Sequence, residues 1–182
     1  MKKIPLGRSG IEVSEWCLGT MTYGSQTPED DAHRQLDMAL DAGIDFLDAA
    51  EMYPVNPVKA ETVGRTEEFI GNWIEKSGKR DAYRIATKAA GPNPGWARDG
   101  KGYDGGNIRE IVEGSLKRLK TDVIDLYQLH WPERGSYHFR QYWSFNPSGQ
   151  DPERTRDHMD GVLATLKDMV AEGKIRAFGL SN

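Results

Sequence analysis

Apolar residues recur with a helical period in four segments of this chain. In each segment they fall three or four positions apart on one face, as expected of a helix that packs on a core. Glycine follows three of the segments, where a helix would stop. The predicted helices begin at Thr27 as N-cap, cover residues 66–77, begin at Asn107 as N-cap, and cover residues 159–170.

Short apolar runs lie between these segments and predict β-strands. Residues 3–13 are predicted to form a hairpin with its turn at 7–10. Residues 16–19 are predicted to form a short buried strand in which Cys17 packs in the core. Further strands are predicted at 45–47, 83–87, 123–129 and 175–180.

Strands and helices therefore alternate along the chain, which predicts an α/β fold with a parallel sheet and right-handed crossovers. A doubly wound sheet and a (β/α)8 TIM barrel both fit this alternation. No G-x-G-x-x-G sequence follows the first strand, which weakens the prediction of a dinucleotide-binding doubly wound fold.

Chemically active residues follow several of the predicted strands. The carboxyl ends of neighbouring parallel strands lie on one rim of the sheet, where α/β enzymes place their active sites. An isolated residue of this kind has a structural explanation, as a cap or a solvated strand end, but four successive strand ends favour a functional site. The residues are Asp48 with Tyr53, Lys88, His130, and Ser181 with Asn182.

The residue types in this set suit proton transfer to a carbonyl oxygen. A nearby ammonium stabilises a phenolate and makes a phenol a better proton donor, and a carboxylate keeps a buried lysine charged. Asp48, Lys88 and Tyr53 form such an assembly, with His130 as a second hydrogen-bond donor. A metal site fits less well, because lysine and tyrosine are uncommon ligands and the histidines lack ligand spacing. A serine-type triad lacks a nucleophile elbow.

Composition narrows the class of protein. The 182 residues are 37% hydrophobic and 29% charged, which indicates one globular domain. The formal net charge of −4 argues against nucleic acid or an anionic membrane as a partner. The one cysteine excludes an internal disulfide and fits a reducing cytoplasm. No apolar stretch is long enough to cross a bilayer.

A polar segment from Trp131 to about Thr155 lacks strong periodicity but is rich in aromatic residues. Long loops inside compact domains are usually functional or disordered. The aromatic residues favour a substrate lid over disorder, and they are Tyr137, Phe139, Tyr142, Trp143 and Phe145.

Five short motifs resemble the aldo-keto reductases, in order and over essentially the whole chain. The runs at 50–55 and 70–73, together with the long loop after residue 132, resemble the bacterial Tas-like branch in particular. The five motifs are Leu-Gly-Thr-Met at 18–21, Asp-Ala-Ala-Glu-Met-Tyr at 48–53, Ala-Thr-Lys at 86–88, Asp-Leu-Tyr-Gln-Leu-His-Trp-Pro at 125–132 and Gly-Lys-Ile-Arg-Ala-Phe-Gly-Leu-Ser-Asn at 173–182.

This resemblance implies a (β/α)8 barrel that reduces aldehydes or ketones with a nicotinamide cofactor, usually NADPH. It implies Tyr53 as the general acid, Lys88 and Asp48 as its supporting pair, and His130 as the residue that orients the substrate carbonyl. The cofactor would carry the hydride. Its implied binding residues are Gly19, Thr20, Met21, Asp48, Ser181 and Asn182.

The chain is shorter than a complete barrel of this type, which takes about 250 residues. We expect one domain over residues 1–182, incomplete on its C-terminal side, with a hairpin and about five β/α units. The family's stacking aromatic and its basic residues for the adenosine 2′-phosphate fall outside this sequence. The expectation is a fragment, or one part of an oligomer or larger assembly, that is poorly active alone because most of its cofactor site is missing.

Two other functions compete with carbonyl reduction. A non-catalytic barrel fragment could act as a subunit or interaction module, and the shortness of the chain favours this hypothesis whereas the intact set of four residues opposes it. A metal-dependent barrel hydrolase is the weaker alternative. The sequence does not identify the carbonyl substrate.

Overall fold

A computed structural model describes residues 1–134 and 143–182. The chain begins with an antiparallel hairpin and continues as a five-stranded parallel sheet whose order is β3-β4-β5-β6-β7. The hairpin strands are β1 (Lys3–Pro5) and β2 (Glu12–Ser14). The parallel strands are β3 (Leu18–Gly19), β4 (Phe46–Asp48), β5 (Arg84–Ala89), β6 (Ile124–Leu129) and β7 (Ile175–Leu180).

Four helices connect the successive parallel strands. They are α1 (Glu29–Asp41), α2 (Arg65–Ser77), α3 (Ile108–Leu119) and α4 (Pro152–Ala171). Each helix contacts the next one along the chain, so all four lie on one face of the sheet. Strands in strict sequence order with helices on one face are typical of a (β/α) barrel, whereas a doubly wound sheet reverses its strand order at a switch point.

The core lies between the sheet and these helices. Helix α2 shows how the predicted periodicity works, since Ile70, Trp73 and Ile74 are buried on one face. Gly71 on the same helix admits α3 closely, because a Cβ atom there would lie 2.2 Å from the carbonyl oxygen of Arg118. Buried side chains from every layer join one cluster that includes Leu36, Leu47, Ile70, Ile85, Leu119, Ile124 and Leu166.

The predicted buried strand at residues 16–19 is wrong in extent and in burial. Only Leu18–Gly19 forms β3. Trp16 is 64% exposed and Cys17 is exposed rather than packed in the core. The apolar run predicted burial, but β3 is an edge of the sheet and β4 is its one strand neighbour among the described residues.

Of the two predicted N-caps, Asn107 does stand at the N-cap position of α3, although its side chain makes no capping hydrogen bond, whereas Thr27 is wrong because Pro28 holds the N-cap position of α1. Thr27 does not cap α1, because its hydroxyl is hydrogen-bonded to that of Thr22 at 2.9 Å. The Asn107 side chain turns back to the preceding loop, where it accepts from the backbone N–H of Asp104 at 2.8 Å and donates to the Gly102 carbonyl at 3.1 Å.

The long loop ends earlier than predicted, because α4 begins at Pro152 and not beyond Thr155. The Asp151 carboxylate caps this helix by accepting the Arg154 backbone N–H at 3.0 Å. Tyr137, Phe139 and Tyr142 of the predicted lid lie outside the described residues. No helix in the described part of the chain is both long and apolar enough to traverse a membrane.

Candidate active site

The parallel register brings four of the predicted residues to the carboxyl-terminal rim of the sheet. Asp48 is the last residue of β4, Lys88 is near the end of β5, and His130 directly follows β6. Tyr53 lies in the loop that follows β4. Because β4, β5 and β6 are adjacent and parallel, their ends converge, and the four side chains form one cluster.

The Lys88 ammonium is the centre of this cluster. Its Nζ lies 2.7 Å from Oδ2 of Asp48, 2.8 Å from the Ala49 carbonyl oxygen and 3.4 Å from the Tyr53 hydroxyl. Lys88 is 5% exposed. A buried ammonium needs a carboxylate and further hydrogen-bond acceptors, and Asp48 and the Ala49 carbonyl supply both. The third contact directs the charge at the phenol.

Tyr53 is half-buried, and both its ring and its backbone make contacts that fix its position. The Lys88 nitrogen lies 4.9 Å from the ring centroid, within the range of a cation–π interaction. The Tyr53 backbone N–H donates to the Ala50 carbonyl at 3.0 Å, and its carbonyl accepts the Gly64 N–H at 3.1 Å. These bonds fix the loop, so the hydroxyl faces the ammonium.

His130 stands edge-on to Tyr53, with 5.9 Å between the ring centroids and 80° between the ring planes. It is 4% exposed. Burial, and secondly the charge of Lys88, lower the pKa of His130 from 6.5 to about 3. The imidazole is therefore neutral near pH 7, and a neutral imidazole carries one N–H donor.

Trp131, next to His130, is a support for the rim and not an exposed aromatic surface. It is 5% exposed, and its indole N–H donates to the Pro92 carbonyl at 2.9 Å. Gly91 makes this position possible, because a Cβ atom there would lie 2.5 Å from the indole ring. The ring packs with Ala50 and other apolar residues beneath the Tyr53 loop.

Five of the six residues predicted to bind the cofactor lie at the ends of β3 and β7, on either side of this cluster, and the sixth is Asp48 within it. Gly19 and Asn182 are exposed, and Met21 is 41% exposed. Thr20 is buried, and its hydroxyl donates to the Asp48 carbonyl at 2.9 Å, so its side chain supports β4. The space that a Cβ atom at Gly19 would occupy is open to 4 Å.

Ser181 and Asn182 follow β7 and form hydrogen bonds with the end of the neighbouring strand β6. The Ser181 backbone N–H donates to the Leu129 carbonyl at 2.9 Å. The Asn182 side-chain amide donates to the His130 carbonyl at 3.0 Å and to the Ser181 hydroxyl at 3.1 Å. Both polar side chains are thereby placed beside the residue that follows β6.

A cavity of about 530 Å³ opens beside the cluster and not directly over Lys88 and Tyr53. It lies between the ends of β6 and β7 and the beginning of α4. Both described parts of the predicted lid contribute to it, together with Asn182. Its lining includes Leu129, Trp131, Glu133, Gln150, Arg154, His158 and Leu180.

Sequence reasoning missed three groups that shape the cluster. The Ala49 carbonyl accepts from Lys88, and a backbone acceptor leaves no signal in residue type. Glu51 and Arg98 form an ion pair beside the cluster. Glu51 lies inside the motif at 48–53, but its partner is 47 residues away, so only the fold reveals the pair.

The fold and the rim cluster define this chain as a (β/α)-barrel protein with an ammonium-supported phenol. The model of the aldo/keto reductase family matches residues 15–182. The chain belongs to the aldo/keto reductase family, and the predicted family resemblance is confirmed.

Curated relatives agree with this assignment. The chain is similar to Protein tas of Escherichia coli, with 45% identity over 177 residues that make up 96% of this chain and 50% of the relative. It is also similar to the aldo-keto reductase YhdN of Bacillus subtilis, with 34% identity over 100% of this chain and 47% of the relative. The chain thus spans about half the length of these relatives.

A solved structure extends the agreement to the fold. An aldo-keto reductase from Bacillus halodurans, in its holo form, superposes with a TM-score of 0.73 at 32% identity. The match covers 100% of this chain and 50% of the solved chain. The predicted α/β fold of TIM-barrel type is confirmed, as an incomplete barrel of five parallel strands in the described part of the chain.

Proposed function

We propose that this site reduces the carbonyl group of aldehydes or ketones to an alcohol with a nicotinamide cofactor, and that Tyr53 is the general acid. The observation that carries the proposal is the position of the Lys88 ammonium, 2.7 Å from Asp48 and 3.4 Å from the Tyr53 hydroxyl. When bound, a reduced nicotinamide supplies the hydride that adds to the carbonyl carbon.

Each residue of the cluster has one role in the proton transfer. Tyr53 donates its hydroxyl proton to the carbonyl oxygen. Lys88 stabilises the phenolate that remains, and Asp48 keeps Lys88 charged and in place. General-acid assistance of this kind contributes about a hundredfold to ten-thousandfold in rate.

His130 orients the substrate in this proposal. Its neutral imidazole donates its N–H to the same carbonyl oxygen that Tyr53 protonates. The pKa of about 3 supports this role, because the ring then neither gains nor loses a proton near neutral pH. The carbonyl oxygen is thereby held between two donors, a phenol and an imidazole.

The polar groups on β3 and β7 fit the nicotinamide end of the cofactor. A carboxamide needs both a hydrogen-bond donor and an acceptor, and the Ser181 hydroxyl and Asn182 amide offer both beside His130. Gly19, Thr20 and Met21 would line the opposite side, with Asp48 between them. The holo form of the Bacillus halodurans relative supports a nicotinamide cofactor, and family resemblance favours NADPH.

Three further proposals concern the substrate, the cellular location and the choice between catalysis and a non-catalytic role. The substrate is a small-molecule carbonyl compound, and the cavity of about 530 Å³ beside Asn182 is the proposed space for the part of the substrate remote from its carbonyl group. The one cysteine, Cys17, supports a reducing cytoplasm as the location. The complete cluster favours catalysis over the non-catalytic subunit hypothesis.

Consumption of NADPH by the purified chain, measured with a panel of aldehydes and ketones, tests the proposal. At high NADPH concentration we expect slow reduction of at least one carbonyl compound, faster with NADPH than with NADH, and unchanged by a metal chelator. If no member of the panel is reduced, the result would contradict the proposed function. Carbonyl reduction that a chelator leaves unchanged and that Tyr53→Phe abolishes would exclude the metal-dependent hydrolase alternative.

A further inference from the structure

Glu51 is a buried carboxylate in an ion pair with the half-buried Arg98, and the proposed chemistry does not use this pair. The Glu51 side chain is 7% exposed and that of Arg98 is 22% exposed. A carboxylate buried to this degree is costly unless it is paired and hydrogen-bonded. An ion pair of this kind is not needed for solubility, and its position beside the proposed catalytic residues suggests that it orders the chain there.

The Glu51 carboxylate is shared between two partners. One oxygen, Oε1, pairs with the Arg98 guanidinium. The other, Oε2, accepts the backbone N–H of Ala90 at 3.0 Å. Arg98 in turn donates to the Ala90 carbonyl at 2.6 Å and to the Lys101 carbonyl at 3.1 Å. Glu51 and Arg98 therefore hold both backbone groups of Ala90.

The backbone of Glu51 joins the same place from the other side. Its N–H donates to the Lys88 carbonyl at 3.1 Å. Glu51 thus contacts the chain at Lys88, which carries the ammonium, and at Ala90. These two positions flank Ala89, the last residue of β5. Tyr53 follows Glu51 by two positions, so one residue joins the phenol-bearing loop to the lysine-bearing strand.

We propose that Glu51, held by Arg98, is a positioning residue that sets the separation between the Tyr53 hydroxyl and the Lys88 ammonium. Its catalytic consequence rests on the proposed function, but the positioning itself does not. Without the pair, the loop after β4 keeps its backbone bonds to β5 and the hydrogen bond from the Lys88 ammonium to the Ala49 carbonyl. It loses the side-chain bonds that join Glu51 to Ala90 and Arg98, and the 3.4 Å contact between Lys88 and Tyr53 loses their support.

The experiment follows the Tyr53 resonance in the whole chain, labelled with carbon-13 at the tyrosine Cζ. Tyr53→Phe assigns the resonance, and Lys88→Met gives its position without the ammonium. The perturbing variants are Glu51→Gln and Arg98→Met, and Arg98→Lys is the conservative substitution. Glu172→Gln is the matched control, because it breaks an exposed ion pair with Arg109 at 2.7 and 2.8 Å.

We expect Glu51→Gln and Arg98→Met to move the Tyr53 resonance toward its position in Lys88→Met. Arg98→Lys should move it less, and Glu172→Gln should leave it in place. In the Lys88→Met background, Glu51→Gln should add no further shift, because the two residues act through one contact. The four other tyrosines of the described residues are all buried, and their resonances report whether each variant keeps its fold; they are Tyr23, Tyr83, Tyr103 and Tyr127.

Kinetics provide a second readout for variants whose other tyrosine resonances show that the fold is kept. In Glu51→Gln, kcat should fall about tenfold to a hundredfold with KM nearly unchanged, since misplacement of a reacting group acts on the transition state. A Tyr53 resonance that stays in place in both Glu51→Gln and Arg98→Met would overturn the positioning role. A resonance that moves while Tyr53→Phe retains full activity would uphold the positioning role and overturn the acid role.

Discussion

Side chains at the strand ends differ in exposure between the centre and the edges of the parallel sheet. At the ends of β5 and β6, Lys88 is 5% exposed and His130 is 4% exposed. At the ends of the edge strands β3 and β7, Met21 is 41% exposed and Leu180 is 68% exposed. The proposed proton donor lies at the centre, and the proposed cofactor-binding residues other than Asp48 lie at the edges.

This difference follows from the number of neighbours that each strand has. Each of β4, β5 and β6 is hydrogen-bonded on both sides, whereas β3 and β7 each pair with one strand among the described residues. A buried charge needs partners in fixed directions, and a strand with two neighbours supplies them. The proton-donating geometry is therefore preorganised at the centre of the sheet.

Among the variants that compare the centre of the sheet with its edges, Lys88→Met should have the largest effect, and this effect is on catalysis. The substitution removes the charge that faces the phenol and leaves Asp48 without its cation. We expect kcat/KM for carbonyl reduction to fall about a hundredfold or more. Lys174→Met, which removes an exposed lysine paired with Glu113, is the control and should change kcat/KM little. Equal losses in the two variants would contradict the special role of Lys88.

Two leucines compare the centre and edge of the sheet in stability. Leu47 on β4 is 0% exposed, and Leu180 on β7 is 68% exposed. Leu47→Ala should lower the free energy of unfolding by about 2–5 kcal/mol, because it leaves a cavity in the core. Leu180→Ala should change it by no more than about 0.5 kcal/mol.

Urea denaturation of the two leucine variants and the wild type measures both values. A large loss in Leu180→Ala would show that β7 is packed as firmly as the central strands. The contrast between the centre and the edges would then not hold.

Burial of His130 should have a smaller effect, which concerns how the free energy of unfolding depends on pH. Its folded-state pKa of about 3 lies below the ordinary value of 6.5. Between these values the unfolded chain binds a proton that the folded chain does not, so the free energy of unfolding falls as pH falls below 6.5. Between about pH 7 and pH 5 the loss should be about 2 kcal/mol greater in the wild type than in His130→Gln.

Urea denaturation at the two pH values checks this difference. Using the change with pH, and not the absolute stability, separates the titration of His130 from the effect of removing its ring. Parallel pH dependences in the wild type and His130→Gln would mean that the ring is not buried in its neutral form.

The sequence was most informative where local chemistry decides the structure. The helix predicted at residues 66–77 lies within one residue of α2, Arg65–Ser77, because an apolar face and a terminal glycine are local signals. The strand ends were predictable for the same reason, and parallel pairing then implied that Asp48, Lys88 and His130 meet on one rim. That implication needed only the alternation of strands and helices.

Features that depend on distant neighbours could not be predicted. Trp16 and Cys17 have an apolar sequence, but their exposure depends on what packs against the sheet edge. Asn107 is a favourable N-cap residue, yet its side chain forms hydrogen bonds with the preceding loop. The partner of Glu51 lies on a distant loop, and sequence spacing does not indicate which of many arginines it is.

The role of Tyr53 as proton donor is tested most directly by comparing Tyr53→Phe with Tyr23→Phe. Tyr23 is 1% exposed, and its hydroxyl has no hydrogen-bond partner in the described part of the chain, so it controls for removal of a buried tyrosine hydroxyl. Tyr53→Phe should lower the rate of carbonyl reduction about a hundredfold or more, and Tyr23→Phe should leave it unchanged. A Tyr53→Phe protein that reduces carbonyl compounds at the wild-type rate would contradict the proposed chemistry.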